Sequence, residues 1–229
     1  EKFFGSIKVV LHDVSLTQSF YFIDSYTGKP VPIFDTVDLS SNNRFFLKTD
    51  INVFNLSKSA GIIGSQRFTD EGFQILYEIK GLATLLFDYV FSASPEAAEG
   101  EYDLLNLQVK ITNDSKKIQN FALKGVFDTY FGEKTITHFS TKLNPIIVKE
   151  MNISNLAEYA WIKSSDSIRS VQFNFFSKAN EPTQVRLANK DLLLVQDWDS
   201  NGLSGRSFNS VYSYNNSAIA LYWPVKRLA

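Results

Sequence analysis

The titratable residues that lie closest together in a potentially reactive pattern are Asp128, Glu133 and His138. Asp128 and Glu133 flank the segment Thr129–Gly132, and His138 follows shortly after it. Two carboxylates beside an imidazole can act as acid and base, because histidine titrates near neutrality and burial can raise the pKa of a glutamate towards it. The same oxygen and nitrogen donors suit a cation, but their spacing matches no regular ligand pattern. The sequence therefore predicts neither a metal nor a cofactor, and leaves a hydrolytic or cation site as a weaker alternative.

A structural role explains the same residues more simply. The carboxylate of Asp128 can accept hydrogen bonds from loop amides, and Gly132 can adopt a backbone conformation that other residues resist. Glu133 can form an ion pair with Lys134 or Lys142. We interpret the segment mainly as a structural turn and retain Asp128, Glu133 and His138 as candidate ligand-binding or partner-binding residues.

No other segment completes a catalytic pattern. His12 and Asp13 are half of a hydrolytic triad, but no serine stands in a G-x-S-x-G motif. The glycine-rich motifs that cradle phosphates in nucleotide-binding proteins are also missing. The chain has no Cys and only two His, so the usual nucleophiles and metal ligands are scarce. This composition favours a non-enzymatic protein.

Tryptophans are the other candidate binding residues. Trp161 and Trp198 have flat apolar faces with a polar edge, which suits contacts with a sugar or a partner protein. Trp198 lies in the loop Asp197–Gly205, where Asn201-Gly202 suits a type I′ turn. Either indole can instead pack on the core or against a neighbouring strand.

The charge balance argues against nucleic acid as a partner, and the hydrophobic pattern argues against a membrane span. The chain has 23 basic and 24 acidic residues, so it lacks the positive field that nucleic acids require. No apolar run is long enough for a membrane span. The absence of Cys is compatible with the cytosol and with a bacterial envelope. The first residue, Glu1, suggests a processed start.

Alternation of apolar and polar residues predicts the elements that must position these side chains. Gly72–Lys80 has the pattern of a half-buried strand, and Ala83–Ala93 that of a central strand covered on both faces. The loop Pro95–Gly100 should close a hairpin to a strand over Leu105–Ile111. Phe121–Phe131 is expected to be the next antiparallel neighbour of that strand.

The whole chain contains about a dozen such strand signals and is rich in aromatics, with 20 Phe and 10 Tyr. Helix is expected only in Asn152–Glu158 and Pro182–Leu194, and the prolines of Gly28–Pro32 predict a loop. We predict an all-β fold with little helix, a large antiparallel two-sheet sandwich in one domain spanning residues 1–229. Three residues on alternating positions are expected in its core: Phe45, Phe173 and Phe175.

Three stretches resemble a known group of domains: Leu107–Gly125, Val126–Glu133 and Phe208–Trp223. They are similar to the β-supersandwich domains related to galactose mutarotase, in the form found in bacterial envelope proteins, including those of spirochaetes. The resemblance implies two large stacked sheets and a concave surface that enzymes of the group use for sugars. Their catalytic histidine does not carry over, since neither His12 nor His138 stands in a matching motif.

The sequence therefore predicts a non-enzymatic structural or interaction module of a bacterial envelope, periplasmic or on the cell surface. Its expected partner is another envelope protein, bound through protein–protein contacts. The alternative is a carbohydrate-binding or carbohydrate-active domain, for which the partner would be a glycan.

Overall fold

The computed structural model describes most of the chain. The described residues are 1–36, 44–57, 59–135, 137–175, 181–194, 198, 205–208 and 216–229. They are mostly β-strand (54%), arranged in several antiparallel sheets, with two short helices. The predicted all-β class and the scarcity of helix are confirmed, and the sheets are consistent with a sandwich.

The strands and helices of the described residues are numbered in chain order. The strands are β1 (Lys2–Phe4), β2 (Ile7–His12), β3 (Thr17–Ile23), β4 (Pro30–Pro32), β5 (Arg44–Lys48), β6 (Val53–Asn55), β7 (Ile62–Phe68), β8 (Gly72–Ile79), β9 (Ala83–Ser92), β10 (Leu104–Asn113), β11 (Gln119–Asp128), β12 (Ser140–Thr141), β13 (Met151–Ile153), β14 (Trp161–Ser165), β15 (Ser170–Asn174), β16 (Gln184–Asn189), β17 (Ser217–Tyr222) and β18 (Lys226–Leu228). The helices are α1 (Leu156–Tyr159) and α2 (Lys190–Leu194), and a single 3₁₀ turn spans Phe131–Lys134.

A four-stranded meander in the order β10-β9-β8-β7 occupies the middle of the chain. As the alternation predicts, Phe73, Ile75 and Tyr77 of β8 face the core, and β9 and β10 form the expected hairpin. In β9, buried residues alternate with partly buried ones. Only one face of this central strand is fully buried, so the prediction of cover on both faces is wrong.

A second, seven-stranded sheet has the order β13-β16-β17-β11-β5-β6, with β18 also paired to β11. The predicted pairing of β11 with β10 is wrong, because β11 pairs with β5, β17 and β18. Eight consecutive residues of β11 are buried. A strand with that pattern needs neighbours on both edges and cover on both faces, which the larger sheet provides and the edge of the meander does not.

Aromatic side chains join the sheets in the larger of two hydrophobic clusters of the described residues, and a smaller cluster lies around Phe46 and Tyr222. The ring of Phe45 in β5 is 4.6 Å from that of Phe87 in β9, which links the seven-stranded sheet to the meander. Phe20 of the four-stranded sheet β1-β2-β3-β4 contacts Phe73 at 5.9 Å. Ile162, from the three-stranded sheet β12-β14-β15, belongs to the same cluster. Phe45 and Phe175 are buried as predicted, and Phe173 packs on the core while partly buried.

Two local predictions need correction. Pro30–Pro32, expected to be a loop, forms the short edge strand β4 against β3, which is possible because an edge strand can leave proline without a hydrogen-bonded amide. The segment Pro182–Leu194 is mainly strand β16, and only Lys190–Leu194 is helical.

The other helix prediction, Asn152–Glu158, is confirmed in part: α1 begins after Asn155, but Asn152 and Ile153 belong to strand β13. Neither helix of the described residues has the length and apolar character that a membrane crossing demands. The predicted turn at Asn201-Gly202 lies outside the described residues.

Candidate functional site

A buried polar cluster forms where three strands of the seven-stranded sheet end or begin. Asp128, the last residue of β11, pairs with Ala218 of β17. On the other side of β17, Ser217 pairs with Asn189, the last residue of β16. The antiparallel pairing therefore brings Asp128, Ser217 and the start of α2 at Lys190 to the same end of the sheet.

Asp128 and Lys190 form the ion pair of this cluster. The Asp128 side chain is 1% exposed, and its Oδ2 is 3.0 Å from Lys190 Nζ. Burial raises the pKa of Asp128 to about 6, although the nearby Lys190 ammonium acts in the opposite direction. The pair keeps a charge in the interior that would otherwise be costly to bury.

Glu133, from the 3₁₀ turn, is the second carboxyl group. Its Oε1 accepts a hydrogen bond of 3.0 Å from the backbone N–H of Ser217. Burial raises the pKa of Glu133 to about 8, and repulsion from Asp128 adds to this effect. Glu133 therefore holds a proton at neutral pH. Glu133 bonds to Ser217, and within the described structure it forms no ion pair with either predicted partner, Lys134 or Lys142. The Lys134 ammonium lies instead 4.3 Å from the centre of the Tyr130 ring.

His138 belongs to the same cluster through Ser217. Its Nδ1 is 2.8 Å from Ser217 Oγ, and its ring packs on Phe208 at 5.0 Å. Gly132 allows its loop to lie directly against the backbone of His138, because a Cβ at that position would lie 2.0 Å from the carbonyl oxygen of His138. The Gly132 N–H donates to Ser164 Oγ at 2.8 Å, so the loop is fixed on both sides.

The cluster suits a structural role better than catalysis. Asp128 and His138 are each 1% exposed and Ser217 is 0% exposed, so a substrate could not reach them without a rearrangement. Within the described part of the chain, no group of three His, Asp or Glu side chains is arranged to hold a metal ion. The three predicted residues do come together: Ser217 contacts Glu133 and His138, and Asp128 lies at the same end of the sheet in an ion pair with Lys190.

The sequence interpretation missed Lys190 and Ser217. Ser217 matches none of the catalytic patterns considered in the sequence, and Lys190 falls within a segment expected to be helical. Both residues follow Asp128 by many tens of positions. A basic residue directly after a strand-like run was the only available signal for Lys190.

The other histidine, His12, is not part of a triad. Its Nε2 is 2.8 Å from Ser19 Oγ on the neighbouring strand β3. The adjacent Asp13 accepts a hydrogen bond from Gln66 instead. These contacts connect β2 to its neighbours.

The two candidate tryptophans, Trp161 and Trp198, lie outside the polar cluster. Trp198 packs edge to face on Tyr222, 5.7 Å away at the opposite end of β17 from Ser217. Lys48 Nζ is 5.6 Å from the Trp198 ring. Trp161 is the partly buried first residue of β14, in a different sheet. A partner-binding role for these two residues remains a prediction.

A cleft of about 500 Å³ lies between the β1–β4 sheet, the β9–β10 loop and the β14–β15 turn. Its lining combines apolar and charged side chains, among them Phe22, Tyr102 and Arg169. Arg169 donates to Asp24 Oδ2 at 2.9 Å, and the Ser6 hydroxyl donates to Glu101 at 2.8 Å. The cleft can hold a small polar molecule beside aromatic rings.

The outer edge of the meander is a second kind of candidate site. Strand β10, Leu104–Asn113, is here called the β10 edge. Among the described residues it pairs with β9 alone, in an unbroken ten-residue register. It contains no proline and only one charged residue, Lys110. Its first two residues, Leu104 and Leu105, are 37% and 40% exposed.

The edge of the first sheet shows how pairing with another strand can be blocked. β4, at the edge of the first sheet, carries prolines at both of its ends. Because exposed regular edges invite pairing with another strand, proteins normally block them in such ways. The β10 edge shows no comparable protection in the described structure.

Comparison with known proteins adds no family assignment. No protein-family model matches the chain, and no curated protein shows a significant match to it.

Proposed function

We propose that this protein is a non-enzymatic interaction module of a bacterial envelope that binds partner proteins by β-strand addition at the β10 edge. The observation that carries the proposal is the regular ten-residue register of β10, which pairs on only one side within the described structure. The outward backbone groups of such a strand can form a ladder with an added strand, and side chains at alternate positions then give specificity.

The side chains of the β10 edge support this role. Leu107 and Val109 lie opposite Tyr89 and Phe87 of β9, whose rings are buried in the core. Leu107 and Val109 are themselves only partly buried, because the sheet stops at their strand. An added strand would cover them and gain apolar burial in addition to backbone hydrogen bonds.

The closed polar cluster supports the non-enzymatic part of the proposal. Glu133 and His138 both bond to Ser217, and Asp128 pairs with Lys190. Their burial makes them suited to holding the ends of β11 and β17 together.

Proline scanning of the β10 edge tests this function. In an antiparallel edge strand, amide groups alternate between the neighbouring strand and the outside, so one of Gln108 and Val109 has an outward N–H. Gln108→Pro and Val109→Pro are made as two separate single variants. The one whose unfolding transition matches the wild type identifies the residue with the outward N–H. Pro30 and Pro32 of β4 show that this fold accepts prolines two residues apart in an edge strand.

The wild-type protein is then used to select binders from a displayed library of twelve-residue peptides. We expect selected peptides to lose at least tenfold in affinity for the outward proline variant. Failure to recover any peptide, or peptides that bind the variant and the wild type equally, would contradict strand addition at this edge.

The cleft beside the β9–β10 loop favours carbohydrate binding as the second candidate. Tyr102 offers a ring, and Glu101 and Arg169 offer polar groups that could bond to hydroxyls. Thermal unfolding with monosaccharides and polysaccharides tests this role, since a ligand at a hundredfold excess over its Kd adds about 2.7 kcal/mol of stability. Tyr102→Ala is the control that should abolish any shift. A panel that produces no shift would exclude this candidate.

The envelope location rests on the resemblance of Leu107–Gly125 and the two later stretches to envelope supersandwich domains. Fractionation of cells that naturally produce the protein tests it. Recovery only in the cytoplasmic fraction would overturn this part of the proposal.

A further inference from the structure

We propose that the strand added to the β10 edge comes from a second copy of this chain, antiparallel to the first across a two-fold axis at Gln108. This inference rests on the proposed function and names its partner. The dimer would continue the meander into one sheet, with β10 of each copy at its centre.

The face of the sheet on which each β10 residue lies limits the registers in which two copies of β10 can pair. When a two-fold axis runs perpendicular to a sheet, both copies keep their core faces on the same side, and residues directly opposite share a face. With Gln108 opposite itself, Leu105 meets Ile111 and Leu107 meets Val109. All four are on the core side of β10 and are incompletely buried in the single chain.

On the solvent face, the residues that this register places opposite each other are also compatible with pairing. Lys110 meets Asn106, and Leu104 meets Thr112. The two Gln108 side chains meet at the axis, where each amide can donate to and accept from the other. No two like charges come together, which is a requirement for cross-strand pairs.

The neighbouring two-fold registers are worse. An axis at Leu107 places Ile111 opposite Asp103, and an axis at Val109 places Leu105 opposite Asn113. An axis at Lys110 brings two ammonium groups together. Among these registers, only the one centred on Gln108 pairs each of the four core-side apolar residues with another apolar residue.

The absence of cysteine from the chain allows a direct test of this register. Gln108→Cys places one thiol at the axis in each copy. Under mild oxidation, or with a short bismaleimide, we expect this variant to form a covalent dimer. Asn106→Cys and Lys110→Cys are matched controls on the same face. Each should cross-link poorly alone, but a mixture of the two should give a joined pair, because residue 106 of one copy faces residue 110 of the other.

Equal cross-linking of all three single variants would indicate random collision and would overturn the register. Absence of a dimer with Gln108→Cys, in a variant whose thermal unfolding matches the wild type, would also overturn it. The expected contact is small for a protein interface, so the dimer should depend on concentration.

Sedimentation velocity of the wild type and the outward proline variant separates this inference from the proposed function. We expect a dimer that grows with concentration for the wild type and a monomer at all concentrations for the variant. A monomeric wild type that still binds displayed peptides at the β10 edge would refute the second copy and leave strand addition standing. A monomer that binds no peptide would refute both.

Discussion

Replacing Glu133 by glutamine should stabilise the protein in alkaline solution and leave it unchanged in acid. Glutamine keeps the carbonyl oxygen that accepts from the Ser217 N–H, but it cannot ionise. In the wild type, the pKa of Glu133 is about 8 in the folded protein, against an ordinary value of 4.5. The folded state therefore retains a proton that the unfolded chain has already lost.

This difference determines the sign and the pH range of the effect. Between pH 4.5 and about 8 the folded wild type binds more protons than the unfolded chain, so its free energy of unfolding falls as the pH rises. At about 1.4 kcal/mol for each pH unit between the two pKa values, the upper bound is about 5 kcal/mol. Partial solvation of Glu133 reduces this, and we expect a gain of about 2 kcal/mol for Glu133→Gln at pH 9.

Urea denaturation followed by tryptophan fluorescence at pH 4, 6, 7 and 9 measures the effect. The free-energy difference between variant and wild type should be near zero at pH 4, grow through neutrality and level off above about pH 8. Asp128 titrates in both proteins and largely cancels in the comparison. Glu78→Gln, on the exposed face of β8, is the control and should show no such growth. A constant difference between Glu133→Gln and wild type at all pH values would refute the assigned protonation of Glu133.

Three further substitutions test the packing around this cluster and in the core. Lys190→Met leaves Asp128 buried without its ion-pair partner and should cost about 3 to 5 kcal/mol at pH 8. This cost should shrink at acidic pH, where Asp128 is protonated. Adding a second substitution, Asp128→Asn, should recover most of the lost stability. Equal losses at pH 5 and pH 8 in urea titrations would contradict the ion pair. Gly132→Ala forces a Cβ towards the His138 carbonyl oxygen and should lower the free energy of unfolding by at least about 2 kcal/mol, so an unchanged urea midpoint would argue against the described loop packing. Phe87→Ala removes a fully buried ring that contacts Phe45 and should lower the free energy of unfolding by about 3 to 5 kcal/mol. The control Leu76→Ala, on the exposed face of β8, should lower it by less than about 1 kcal/mol. Similar thermal shifts for the two variants would place Phe87 outside the core.

The meander could be predicted from sequence because its information is local. In β8 the apolar residues recur at every second position, and short connections leave adjacent strands little choice of neighbour. The pairing of β11 could not be predicted in this way. Its nearly continuous burial indicates a central strand, but its neighbours β5 and β17 are distant in sequence, and tertiary packing selects them.

In the polar cluster, too, the features that are local in sequence could be predicted and the contacts between distant residues could not. Asp128, Glu133 and His138 were found because they are near one another in sequence. Their partners Lys190 and Ser217 were missed, since only the strand register of the folded sheet brings these residues to the end of β11. Sequence alone therefore identified the carboxyl groups but not their environment, and it is burial in that environment that determines their protonation.

The strand order of the seven-stranded sheet also has a kinetic consequence. The meander joins β7 to β10 by neighbouring connections and can form as soon as that part of the chain exists. The larger sheet cannot close until β17 is available, because Ser217–Tyr222 stands between β11 and β16. Contacts between such distant segments slow folding. During synthesis, β11 and β16 should therefore wait for β17 before they join one sheet, and a truncation before β17 should leave an open, aggregation-prone sheet.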